Sequence, residues 1–120
     1  MSKEYGRNRR VADQVQRELA VAIQREMSDT PLKFITVSNV DVSPDLKNAR
    51  VFVTSLTDSD AEKQSIIGEL NGRAGHFRHL LAKKLTLRSV PRLNFVFDYS
   101  IERGSRLSAL IDSVNKSGSE

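Results

Sequence analysis

Two hydrophobic periods alternate along these 120 residues, and the order of alternation leaves few folds open. From Asn8 to Met27, apolar residues recur at spacings of three and four (Val11, Val15, Leu19, Ala22, Ile23, Met27), the stripe of an amphipathic helix. Asn8 suits the N-cap. Ser28-Asp29-Thr30-Pro31 closes the segment, because a residue before proline is pushed out of the α region. Phe34–Val42 is β-branched and reads as a strand. Its apolar parity switches between Ile35/Val37 and Val40/Val42, which predicts a bulge near Ser38-Asn39 or burial on both faces. Ser43-Pro44-Asp45 and Lys47-Asn48 supply turn chemistry, so Ala49–Leu56 is expected to return as the second strand of an antiparallel hairpin.

The period then becomes helical again. Ser59 with Glu62 three residues on is a capping-box pattern, and it opens a helix over about 60–71 with Ile66, Ile67 and Leu70 inward. The carboxylates of Asp58, Asp60 and Glu62 resemble a metal site, but acids in a first helical turn are accounted for by the positive end of the helix dipole. A second helix follows over about 75–85. At about 100° per residue, Phe77, Leu80, Leu81 and Leu85 share one side, and His76, His79 and Lys83 share a stripe on the other. Lys84 points towards the apolar side and is expected to lie along its edge. Leu93–Asp98 alternates as a half-buried strand, and Glu102–Val114 reads as a final amphipathic helix. Residues 1–7 form a loose arm and 115–120 a loose tail around a single domain at 8–114. Three strands, with helices enough for one face, predict a two-layer α+β domain in the order α-β-β-α-α-β-α.

Composition narrows the chemistry. There is no cysteine, which removes disulfides, thiolate metal sites and cysteine nucleophiles. The longest apolar run near the N-terminus, Leu19–Ile23, is too short for a signal core or a membrane span, so a cytoplasmic protein with no membrane partner is expected. Net charge is +4, and its distribution matters more than its size. Residues 29–70 hold four Lys or Arg against seven Asp or Glu, whereas residues 71–97 hold six against none. In the first helix Asp13, Glu18 and Glu26 balance three of the arginines, leaving the Arg7-Arg9-Arg10 end net basic. A chain polarised in this way attracts a polyanion to one region and repels it from another.

The basic run, NGRAGHFRHLLAKKLTLRSVPR over Asn71–Arg92, begins with glycines at a spacing of three, Gly72 and Gly75. A helix pair joined by G-x-x-G between strands is the core of the K-homology fold, and the preceding α–β extension resembles its type II variant. Two residues without Cβ let a sugar-phosphate backbone approach closely, and the start of the next helix offers positive dipole to a phosphate. A helix-ending glycine gives the same pattern without any ligand. The candidate RNA contacts are Gly72, Arg73, Gly75, His76, Arg78, His79, Lys83, Lys84, Arg88 and Arg92, with Arg9 and Arg10 as secondary ones.

The sequence also resembles the ribosome-binding factor A family. The matching pieces are Arg9-Arg10-Val11, Gln16-Arg17-Glu18-Leu19-Ala20, Thr36–Ser43 with Asp45-Leu46, Ala49–Thr54, Gly75–Leu81, Leu87–Phe95 and Gly104-Ser105-Arg106-Leu107. That family is marked by a helix–kink–helix with Ala-x-Gly in place of a loop. Here the frame reads Arg73-Ala74-Gly75, with Arg where Ala is expected, while G-x-x-G also begins at Gly72. Kinked helix and true loop both remain open at this point. The resemblance implies a monomeric assembly factor that binds the small ribosomal subunit and its precursor and touches 16S rRNA. It also implies a part in maturing the rRNA 5′ end, above all in the cold.

Two other readings compete. His76 and His79 could serve a metal or act as a general acid. No carboxylate, cysteine or third histidine lies in their sequence neighbourhood, and no P-loop is present, so neither an enzyme, a metal nor a cofactor is expected. A K-homology binder of single-stranded RNA or DNA, unrelated to ribosomes, is the alternative.

Overall fold

The computed structural model describes residues 2–27, 35–57, 59–85 and 89–100. Six elements follow one another: α1 (Ser2–Met27), β1 (Thr36–Val42), β2 (Asn48–Thr54), α2 (Asp60–Gly72), α3 (Ala74–Lys84) and β3 (Arg92–Phe97). The strands form one sheet in the order β1-β2-β3, with β1 antiparallel to β2 and β2 parallel to β3. The expected α+β architecture is present. The final helix expected at 102–114, the tail and Arg88 lie outside the described residues.

The α1 stripe forms as its spacing requires. Val11, Val15, Leu19 and Ile23 are buried. Its start differs from expectation, because the backbone is already helical at Ser2, so residues 2–7 of the expected arm belong to α1. Nothing between Lys3 and Arg7 breaks a helix except Gly6, whose cost is about 1 kcal/mol. Asn8 is therefore no cap. Its side-chain amide donates to the Val42 carbonyl at 3.0 Å and ties α1 to the end of β1.

In β1 the register against β2 shifts between Val37 and Asn39, the bulge that the change of parity implied. Val37, Val40 and Val42 can therefore all face inward. The turn after β1 is held by its own polar groups. Asp45 accepts from the Ser43 hydroxyl at 2.6 Å and from the Lys47 N–H at 3.0 Å. These bonds, the Ser43 one foremost, pull the Asp45 carboxyl below the usual carboxylate range. Leu46 closes the turn at φ 62, and its side chain packs against the core.

The helices share one face of the sheet. Ala49, Val51 and Val53 of β2 and Leu93 and Phe95 of β3 point towards them, with Leu70 and Leu81 buried above. The Phe77 and Phe95 rings meet at 5.8 Å between centroids, both wholly buried. The opposite face exposes Asn48, Arg50, Arg92 and Asn94. Lys63 of α2 is buried, with its ammonium 5.0 Å from the Phe97 ring centroid, 5.2 Å from that of Tyr99 and 3.9 Å from the Asp60 carboxylate. The Ser59 hydroxyl caps α2 by accepting from the Glu62 N–H at 3.3 Å, while the Glu62 carboxylate takes the Thr57 hydroxyl. The Ser59 N–H donates to the Thr57 hydroxyl oxygen at 3.1 Å and not to Glu62, so the capping box forms only in its Ser59 half. Asp58 lies outside the described residues, among which no group of three metal-ligating side chains forms.

Candidate nucleic-acid interface at the α2–α3 joint

The two glycines flank a joint of one residue. Gly72 ends α2, Ala74 begins α3, and Arg73 between them has φ −103 and ψ 8. The Arg73 N–H donates to the Glu69 and Leu70 carbonyls at 3.2 and 3.1 Å, and its own carbonyl accepts from the Phe77 N–H at 3.0 Å. Helical bonding therefore runs into and out of the joint, which makes it a kinked helix and not a loop. Neither Gly72 nor Gly75 has a positive φ, and a Cβ built on either meets nothing within 4 Å. The fold itself does not require glycine at these positions. What the glycines do is leave backbone bare towards the outside, at a helix start that has no acidic residue in its first turn and no side-chain cap.

The inner side of the joint is fastened to the sheet at two points. Before the kink, the Asn71 side chain accepts from the Phe95 N–H at 2.8 Å and donates to the Phe95 carbonyl at 3.1 Å, so it pairs with the β3 backbone as a neighbouring strand would. Beyond the kink, the Arg78 guanidinium donates to the Val90 and Pro91 carbonyls at 2.8 and 3.2 Å. Asn71 was not singled out from sequence. Its only signal there is an amide side chain in the last turn of a helix that must meet a strand edge.

The structure brings together some of the candidate contacts and separates others. Arg73 lies beside the joint and binds Glu69 through Nε at 3.3 Å. His76 meets Glu26 of α1 at 3.2 Å. Two carboxylates therefore enter a region that is acid-free along the sequence. His79, Lys83 and Lys84 are exposed on α3. Lys83 and Lys84 edge a small groove between α1 and α3, with Ala22, Leu80 and Leu81 as apolar lining. Arg78 is half-buried and committed to β3. Arg92 is exposed on the sheet face away from the helices, and Arg9 and Arg10 are exposed near the start of α1. The coherent cluster is therefore Gly72, Arg73, Gly75, His76, His79, Lys83 and Lys84.

Comparison with known proteins decides the family. The family model described as ribosome-binding factor A matches residues 7–111. The chain belongs to the ribosome-binding factor A family. A family member from Pseudomonas paraeruginosa is 50% identical over 113 residues, covering 93% of this chain and 88% of its own. One from Nitrosococcus oceani is 50% identical over 114 residues, covering 95% and 89%. Among solved structures, ribosome-binding factor A from Thermus thermophilus aligns at TM-score 0.65 and 26% identity, over 74% of this chain and 93% of that one. A putative ribosome binding factor A from Thermotoga maritima aligns at TM-score 0.65 and 30% identity, over 74% and 84%. No helix among the described residues is long and apolar enough to cross a membrane.

Proposed function

We propose that this chain is a non-catalytic, cytoplasmic assembly factor that binds the free or immature small ribosomal subunit as a monomer and contacts 16S rRNA at the α2–α3 joint. The observation that carries this reading is the joint itself. Two glycines that the fold does not need leave backbone bare beside a cationic helix, on the frame of a family named for ribosome binding. A Thermus thermophilus family member was fitted as a homology model into the map of its complex with the 30S subunit. It aligns with this chain at TM-score 0.59 and 23% identity, over 73% of this chain and 91% of that one. Contacts of this kind go to phosphates and to the shape of folded RNA, with little sequence information. Arg9, Arg10, Arg88 and Arg92 would act as outlying contacts, and Arg78 would act by holding the joint. Help with maturing the 16S rRNA 5′ end, most needed in the cold, belongs to the same reading.

Sedimentation of cell extract tests it. Co-migration with free 30S particles, without translating 70S ribosomes, is the expected result. Equal or tighter binding to short unstructured oligonucleotides, with no association with subunits, would replace it by the generic K-homology reading.

A further inference from the structure

We infer that the outer face of α1 is a second RNA-binding surface, a straight cationic rail that takes the phosphate backbone of double-helical RNA. Along α1, Arg7, Arg10, Gln14, Arg17, Val21 and Arg25 recur at spacings of three and four. At about 100° per residue they occupy an arc of about 80°, and from Arg7 to Arg25 the row runs about 27 Å at about 1.5 Å per residue. All four arginines are exposed. None has a side-chain hydrogen bond or ion pair among the described residues, where the ion pairs join other groups.

The acids of α1 do not cancel this row. Glu26 lies away from the arc, exposed on the side towards α3, and is engaged by His76. Asp13 and Glu18 lie to either side of the arc, and neither forms an ion pair with an arginine of the row. Asp13 stands four residues before Arg17 and Glu18 next to it, but both flank the arc, and within the arc itself only one sign occurs. At its Arg25 end the row faces Lys83 and Lys84 across the α1–α3 groove, whose lining also includes Glu18 and Glu26, the latter paired with His76.

The geometry favours a duplex over a single strand. Residues 6–26 hold no aromatic side chain on which an unpaired base could stack. A rigid row of guanidinium groups, each able to grip phosphate oxygens through two N–H donors, suits a partner that is itself rigid and regularly charged. A-form RNA is recognised in that way, through phosphates and 2′-hydroxyls, and Gln14 in mid-row is suited to the latter.

This inference rests on the proposed rRNA-binding role, and the test separates the two. The full chain is titrated against a labelled RNA duplex of about 16 base pairs and against purified 30S subunits, across a range of salt. The variant Arg17→Gln/Arg25→Gln is compared with Lys47→Gln/Arg50→Gln, which removes the same charge from exposed positions off the helical layer. Gln matches Arg in helix propensity, and far-UV circular dichroism checks that α1 persists. The expected result is a loss of tenfold or more in duplex affinity for the rail variant, with its salt slope reduced by about 2, and a much smaller change for the control. Equal losses in both variants would reduce the effect to overall charge and overturn the inference. Unchanged duplex binding by the rail variant would also overturn it, and if subunit binding alone then fell, the face takes an acidic protein surface. If the unaltered chain bound neither duplex nor subunit, the proposed function itself would fall.

Discussion

Two connections in this molecule use residue types against habit, and the contrast shows what each is for. The β1–β2 turn reaches the left-handed region at φ 62, where glycine is favoured, yet the residue there is Leu46. The α2–α3 joint has glycine at two positions, and neither needs glycine's freedom. The turn satisfies itself, because Ser43 and Asp45 bond within it and Leu46 is held by core contact. The joint satisfies only its inner side, through Asn71 and Arg78, and leaves its outer side bare. A leucine in strained backbone reports internal packing. A glycine in unstrained helix reports something outside.

The inner side of the joint is the place to break this contrast most forcefully. Phe77→Ala removes a wholly buried ring packed at a tilt against Phe95, and it should cost about 3 to 5 kcal/mol in denaturant unfolding. A cost under about 1 kcal/mol would mean that the joint is not anchored through its core side. Next in size is Asn71→Ala, which leaves the Phe95 N–H and carbonyl without their side-chain partner. A loss of about 1 to 3 kcal/mol is expected, with faster amide exchange at Phe95. No change in that exchange rate would remove Asn71 from its fastening role.

Gly72→Ala with Gly75→Ala sharpens the contrast on the outer side. Each change should raise stability by up to about 1 kcal/mol, because helix is favoured and the added Cβ meets nothing. Binding to 30S subunits should weaken at the same time. Greater stability with undiminished binding would leave the bare backbone without a function.

The smallest effect concerns the turn. Its folded carboxyl at Asp45 lies below the ordinary carboxylate value. The stability that it contributes is therefore present above that ordinary value, and it is lost as pH falls through the lower, folded one. Comparing the wild type with Asp45→Asn by acid titration should show a difference that is present at neutral pH and closes on strong acidification. A difference that instead grew in acid would contradict the assigned bonds.

Much of this was readable beforehand. The bulge followed from the change of parity at Ser38-Asn39, and the α2 start followed from Ser59. The buried side of α3 followed from the spacing of Phe77 and Leu81. These features are local, and period and capping chemistry report them. The reading of His76 as an outward RNA contact was incomplete, because Glu26 is 50 residues away in sequence and arrives only through the packing of α1 against α3. Arg78 was legible as a cation, but its use on the Val90 and Pro91 carbonyls depends on where β3 begins.

The sequence by itself determined the element order, the α+β class and the concentration of cations after Leu70, since all three follow from periodicity and charge along one dimension. Only the tertiary structure decided between loop and kink at Arg73, because the choice rests on where the Arg73 N–H and carbonyl find partners. It also decided which charges stand free. Counting acids against arginines along α1 suggests balance, but charges cancel by distance and angle, and the fold pairs Glu26 with His76 of α3 while Arg7, Arg10, Arg17 and Arg25 stay exposed in one row.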